Sequence, residues 1–256
     1  MYQQYSIRRN KIRRQVIREH LDAFLISNPI NVRYLTGFTG NDSYLLIKRS
    51  GDQILSDTRF TIQIEEECPG LEVYFRASGE TMPLAIARLF GKTTSGKLGL
   101  EADSLTITGL ERISQAIPSW QMVPKRNFVE ELRQIKDRYE IQLIRKAIDI
   151  AYQSFLDLRT FLSSERSEIE IRNELEYRMR CHGAEEKSFP SIIGVGSRAA
   201  LPHGCPGLSK IAGHSHLLID WGTIYKGYMS DLTRVLIFSA KDKKFRTVYE
   251  TVLNAQ

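Results

Sequence analysis

HLLIDWGTIYKGYMSDLTRVLIF, residues 216–238, carries two carboxylates, Asp220 and Asp231, inside two otherwise apolar segments. Lys226-Gly227 at its centre is a common two-residue hairpin loop. A turn there pairs Tyr225 with Tyr228, Gly222 with Asp231 and Asp220 with Thr233. Both aspartates then share one face as diagonal neighbours, with Cβ atoms roughly 7 Å apart. Gly222 opposite Asp231 leaves room where a larger side chain would stand, and a cation fits that room. A loop with an odd number of residues would instead turn Asp231 to the opposite face.

Two carboxylates on a semi-buried face repel each other and resist desolvation unless positive charge lies between them. The bland alternative is a solvent-facing hairpin with Arg234 as partner. Leu217, Leu218, Ile219, Leu232, Val235, Leu236, Ile237 and Phe238 argue instead for strands buried on both faces, a poor setting for unpaired aspartates. A divalent metal is therefore the expected companion of Asp220 and Asp231.

The rest of the chain is that of an ordinary soluble globular protein. Its 256 residues, 42% hydrophobic and 26% charged, are enough for two domains. No apolar run approaches the ~18 residues of a membrane span, and the opening residues lack a secretory apolar stretch. No membrane partner and a cytoplasmic location are the expectation. Cys68, Cys181 and Cys205 are scattered singly, without metal-type or disulfide-type spacing, and read as reduced thiols. The net charge of +6 owes much to Arg8, Arg9, Lys11, Arg13, Arg14 and Arg18. Ile12, Val16, Ile17 and Leu21 recur through that stretch at helical spacing, so it reads as a structural helix with a solvated basic face, not as a nucleic-acid arm.

Alternation of element types continues over about the first 120 residues. Helix 8–21, strand 23–26, strands 44–47 and 53–56, helix 58–67, strand 71–75, helix 80–90, strand 97–101 and helix 106–116 make an α/β pattern. Pro118 and Pro124 flank a stretch of weak periodicity, which places a boundary near 120–128. Beyond it, helix 137–162 presents Ile141, Ile144, Ile148, Phe155, Leu158 and Leu162 on one side. Ser167 and Glu170 form a capping box for a second helix through Arg180, with Gly183 as its C-terminal cap. Strands 189–195, 217–220 and 228–238 build one sheet over these helices. A last helix starts near Asp242 and meets the end at Gln256 with no stop signal.

These residues resemble the pita-bread metallopeptidases, the family of Xaa-Pro aminopeptidase, prolidase, creatinase and methionine aminopeptidase. SFPSIIGVGSRAALPHG and LLIDWGTIYKGYMSDLTRVLIF look like its substrate-histidine segment and its first two metal-ligand aspartates. NVRYLTGFTGNDSYLLI and ILSDTRF look like the N-terminal domain of the prolidase, aminopeptidase P and creatinase branch, which methionine aminopeptidase typically lacks. The resemblance implies an α/β creatinase/prolidase-type N-terminal domain over residues 1–124 and an incomplete α+β pita-bread domain over 125–256. It makes Asp220 a ligand of one metal and Asp231 a bridging ligand between two divalent ions, manganese, cobalt or zinc. It makes His203 the histidine that contacts the substrate carbonyl and the tetrahedral intermediate, and Thr233 a plausible partner behind Asp220.

The family's remaining histidine and two glutamates come from strands beyond residue 256, so the resemblance implies a C-terminally truncated, inactive fragment. His214 and His216 do not substitute: at ~3.3 Å per residue His216 lies about 13 Å along the strand from Asp220. The implied activity is removal of the residue before proline, from a dipeptide or a longer peptide, with a homodimer as the family's habit. Two rivals stay open: a metal-free creatinase-like amidinohydrolase, and a catalytically dead pita-bread module that binds peptides.

Overall fold

Strand β1, Ala23–Ile26, is four apolar residues, and all four are buried. Alternate side chains of a strand point to opposite faces. Phe24 and Ile26 therefore enter one core, with Ile12, Val16, Leu35 and Leu45, while Ala23 and Leu25 enter another, with Leu46, Leu55, Ile86 and Leu98. A strand buried this way needs helices on both sides of its sheet, and the first unit supplies them. The computed structural model describes residues 2–91, 95–238 and 243–256. It divides into two units, Met1–Ile135 and Lys136–Gln256.

The first unit runs α1 (Tyr2–Arg18), β1, α2 (Pro29–Thr36), β2 (Tyr44–Lys48), β3 (Asp52–Asp57), α3 (Thr61–Glu67), β4 (Glu72–Arg76), α4 (Met82–Phe90), β5 (Gly96–Glu101), α5 (Ile107–Ala116), β6 (Trp120–Lys125) and α6 (Glu130–Gln134). Its sheet has the order β4-β3-β2-β1-β5-β6. β1, β5 and β6 run parallel, β3 and β4 run parallel, and β2 is antiparallel to both its neighbours.

Helix α2 and strand β6 were not among the expected elements. α2 is eight residues long, too short to display a period, but Asn28 accepts a hydrogen bond from the Ile30 amide, Pro29 opens the helix and Gly37 ends it at φ +86°. β6 hides because Pro124 interrupts it. Proline is tolerated there since β6 is the edge strand. The residues that follow β6 also stay with this unit: Phe128 stacks on Phe24 with centroids 4.0 Å apart, and Val129 is buried. The break in the chain consequently lies at Ile135, beyond the region 120–128 where composition changes.

The basic face of α1 is less solvated than its charge suggests. Arg9 and Arg13 both grip Asp52, at 3.0 and 2.5 Å, and Arg8, nearly buried, donates to the Tyr34 carbonyl at 3.0 Å. Buried Glu101, at the end of β5, accepts from the Ser27 and Asn28 amides at 2.6 and 2.7 Å and from the Asn31 side-chain amide at 2.7 Å. It fastens the start of α2 to the sheet. Burial pushes its carboxyl above the ordinary value, against the lowering effect of those bonds.

In the second unit come α7 (Arg138–Phe161), α8 (Glu168–Cys181), β7 (Glu186–Lys187), β8 (Ile192–Val195), β9 (His216–Trp221), β10 (Thr223–Tyr225), β11 (Tyr228–Met229), β12 (Leu232–Ile237) and α9 (Lys243–Ala255). Asp242, the expected start of the last helix, lies outside the described residues. Both long helices open on capping boxes, Asp137 with Glu140 and Ser167 with Glu170. The buried stripe of α7 is Leu143, Ala147, Ile150, Ala151, Ser154, Phe155 and Leu158, whereas Ile141 and Ile148 of the expected stripe are exposed. A lone isoleucine on a helix does not identify the inward face when small residues such as Ala147 and Ala151 let the sheet approach.

The expected single sheet is two three-stranded sheets, β7-β10-β11 and β8-β9-β12. They part at Gly222, between β9 and β10. Leu217, Ile219 and Trp221 of β9 pack on α7 and α8, with Trp221 stacked on Phe155 and donating to the Ala151 carbonyl at 3.0 Å. The other face of β9, bearing Leu218 and Asp220, is only half-buried, and no residue of β12 is buried. Two-sided burial of this hairpin, expected from its apolar content, is therefore not found. Helices α7 and α8 cover one face, and on the other Phe245 of α9 stacks on His216 at the start of β9. Among the described residues no helix is long and apolar enough to cross a membrane.

Candidate metal and substrate site

The turn residues set the register. Lys226 and Gly227 both take positive φ, +48° and +80°, as a two-residue loop that matches strand twist requires. Tyr225 pairs with Tyr228 and Asp220 with Thr233, and the same register carries through the gap between the two ladders. Pairing partners share a face, so Asp220 stands between Ile192 on β8 and Thr233 on β12. The Thr233 hydroxyl donates to Asp220 Oδ1 at 3.1 Å.

Burial raises the Asp220 carboxyl above its ordinary range, the Thr233 hydrogen bond opposes that, and the charge of Asp231 raises it further. The charge of Asp231 thus reaches Asp220 across the hairpin. Arg234 does not relieve them: its guanidinium donates to the carbonyl of Thr233 at 2.8 Å. Among the described residues no lysine or arginine forms an ion pair with either aspartate. Asp231 sits just before β12 and is exposed.

The room opposite Asp231 is not where a cation would go. A Cβ on Gly222 would lie 1.9 Å from the Ser230 carbonyl oxygen and 2.1 Å from Ser188 Oγ. Ser188 donates from its hydroxyl to the Ser230 carbonyl at 2.8 Å and from its amide to the Gly222 carbonyl. Gly222 is there so that three backbone segments can meet. Asp220 lies on the half-buried face of β9 beside Thr233, away from that junction. Hard oxygen donors of like charge without a neutralising cation match part of what a divalent ion binds. Among the described residues no group of three or more His, Cys, Asp or Glu side chains is gathered for a metal, so these two carboxylates fit such an ion as a partial donor set.

His203 is exposed, in the loop that follows the short 3-10 turn Gly196–Ala200, and no hydrogen bond joins it to the two aspartates among the described residues. His214 and His216 are accounted for elsewhere. The ring of His214 packs over Gly196, and His216 stacks on Phe245 of α9 at 4.3 Å. Sequence reading passed over Glu168, taking its neighbours Ser167 and Glu170 only as a helix cap. Glu168 is fully buried and bonds to the loop that carries His203. A glutamate at the first position of a helix that faces the core was the one signal available.

Residues 8–135 match the creatinase/prolidase N-terminal domain, and residues 142–256 match metallopeptidase family M24. An uncharacterized peptidase of Bacillus subtilis, YqhT, is 34% identical over 236 residues, 92% of this chain and 66% of that protein. The structure of an Xaa-Pro dipeptidase from Bacillus anthracis superposes with a TM-score of 0.91 at 31% identity, covering 98% of this chain and 70% of that one. An X-Pro aminopeptidase from Thermotoga maritima MSB8 gives 0.85 at 30%, covering 94% and 70%. The chain spans about two thirds of the length of these relatives. With both of its units matched in chain order, it belongs to the M24 metallopeptidases, in the branch that carries a creatinase/prolidase-type N-terminal domain.

Proposed function

We propose that this chain is the larger part of a dinuclear metal-dependent peptidase that removes the residue before proline, acting on a dipeptide or the end of a longer peptide. The observation that carries the reading is the pair Asp220 and Asp231 on one hairpin, like-charged, without an ion pair to lysine or arginine among the described residues and with Thr233 bonded to Asp220. Membership of the M24 family and likeness to an Xaa-Pro dipeptidase and an X-Pro aminopeptidase support it.

In this reading Asp220 and Asp231 would hold the divalent ions, manganese, cobalt or zinc, while Thr233 holds the Asp220 carboxylate in one orientation. The ions supply Lewis acidity toward the scissile carbonyl and lower the pKa of water. His203 hydrogen-bonds the substrate carbonyl and stabilises the charge that develops on it. Three free thiols, Cys68, Cys181 and Cys205, go with a cytoplasmic location, and a homodimer follows the family's habit. The domain limits read from sequence, 1–124 and 125–256, are kept as a proposal beside the two compact units, which part at Ile135. Residues 1–256 alone contribute two ligands and do not turn over.

The test is Xaa-Pro cleavage with and without Mn²⁺, in the protein as its gene encodes it and in residues 1–256. Metal-dependent cleavage by the encoded protein, lost in Asp220→Asn and absent from residues 1–256, supports the reading. Cleavage that persists in Asp220→Asn overturns it. Metal-independent peptide affinity without cleavage gives the chain to a binding module instead.

A further inference from the structure

The side chain of Glu168 at the first turn of α8 is fully shielded from solvent, and every bond recorded for its carboxylate goes to one loop. Oε1 accepts from the Val195 amide at 3.0 Å, where the loop leaves β8. Oε2 accepts from the Gly207 amide at 2.8 Å, where the loop returns. Between them the Arg198 Nε lies 2.9 Å from both oxygens, and the same guanidinium reaches forward to the Cys205 carbonyl at 2.7 Å. The backbone of α8 adds two more ties, from the Ile169 amide to the Gly207 carbonyl and from the Glu168 amide to the Ser209 carbonyl.

One carboxylate thus closes both ends of the segment 195–207, and one arginine braces its middle. At the tip of the segment Leu201, Pro202 and His203 are exposed. A buried anion is expensive unless its lone pairs are met. Here two amides and a guanidinium meet them, and the N-terminal end of α8 adds its favourable field. Such an arrangement holds a loop in one shape while leaving its tip free to meet a ligand.

We infer that Glu168 and Arg198 are positioning residues for His203: they set where its ring stands relative to the hairpin that carries Asp220 and Asp231. The inference rests on the role given to His203 above. A loop misplaced by about 1 Å costs on the order of a hundredfold in rate, and the loss falls on kcat when the affected contact strengthens in the transition state.

In residues 1–256, Glu168→Gln keeps the shape of the side chain but sets an amide group against donors. The expected result is at least tenfold faster hydrogen exchange at the Val195 and Gly207 amides, with the amides of α7 unchanged. Exchange that stays within twofold of the parent overturns the clamp.

The second test is a double-mutant cycle on kcat in the protein as its gene encodes it. Glu168→Gln lowers kcat at least tenfold with KM within threefold, Arg198→Lys lowers it less, and Glu168→Gln costs nothing further in a His203→Ala background. An equal loss in both backgrounds marks Glu168 as merely structural and overturns the proposal. If His203→Ala alone leaves cleavage intact, the role given to His203 fails, and the positioning role falls with it. The single variant separates that failure from failure of the clamp.

Discussion

Strand β1 of the first unit and strand β9 of the second have nearly the same apolar character, yet one is buried on both faces and the other on one. β1 lies between helices, so Phe24 and Leu25 serve two different cores. β9 rests on α7 and α8 through Leu217, Ile219 and Trp221, and its second face carries Asp220 beside a β12 that has no buried residue. An apolar run therefore reports that a strand has a core, not how many. The open face is what lets a carboxylate stand in a hydrophobic sequence without a buried partner.

The largest effect should come from the point where the second unit's sheet divides. Gly222→Ala puts a methyl group 1.9 Å from the Ser230 carbonyl, and backbone must move to admit it. A loss of about 3 kcal/mol or more is expected, read as a lower denaturation midpoint of the second unit with the first unit's transition unmoved. A loss below about 1 kcal/mol would mean that the three segments meeting at Gly222 are loosely packed.

Next in size is a direct comparison of the two strands. Leu25→Ala empties a fully buried position and should cost about 2–5 kcal/mol, whereas Leu218→Ala, on the half-buried face of β9, should cost about 1 kcal/mol or less. Equal losses in urea titrations would erase the distinction between the two strands.

What could be read from the residues follows the same division between local and distant causes. The hairpin register was legible because two adjacent residues, Lys226 and Gly227, decide it. The capping boxes were legible because their partners lie three residues apart. The filling of the space at Gly222 was not, since Ser188 arrives from a distant part of the chain. Nor was the clamp by Glu168, whose partners include backbone amides of a loop well downstream. Pro124 disguised an edge strand, and Ala147 and Ala151 disguised the inward face of α7. Two aspartates, a threonine and a histidine could be singled out as candidates, but the residues that hold the His203 loop in place could not.

A smaller effect concerns a buried carboxylate in the first unit. Burial lifts Glu101 above its ordinary value of 4.5. Its proton is held more tightly in the folded chain than in the unfolded one, so the associated stabilisation is complete below the unfolded pKa and is lost as pH rises through the folded one. Glu101→Gln removes that titration. The stability of the parent minus that of Glu101→Gln should fall between pH 4 and neutrality, measured by urea titration at stepped pH. A difference that is flat or rises with pH would show that the Ser27, Asn28 and Asn31 bonds outweigh burial.

The smallest effect tests whether the open face of β9 is kept for an ion at a cost to the fold. Asp220 is raised by burial and by Asp231, so the same sign holds: its ionised form at neutral pH is disfavoured in the folded chain. The substitution Asp220→Asn keeps an acceptor for the Thr233 hydroxyl and removes the charge, so it should raise the thermal midpoint slightly in buffer with chelator. Added Mn²⁺ should reverse the order, because an ion that binds only the folded parent stabilises it by mass action while the variant has lost one of two carboxylates. A midpoint that falls in Asp220→Asn without metal would mean that the carboxylate already has a compensating partner. The comparison of the two strands would then lose its functional meaning, since the open face of β9 would carry a structural charge like the buried Glu101 of the first unit.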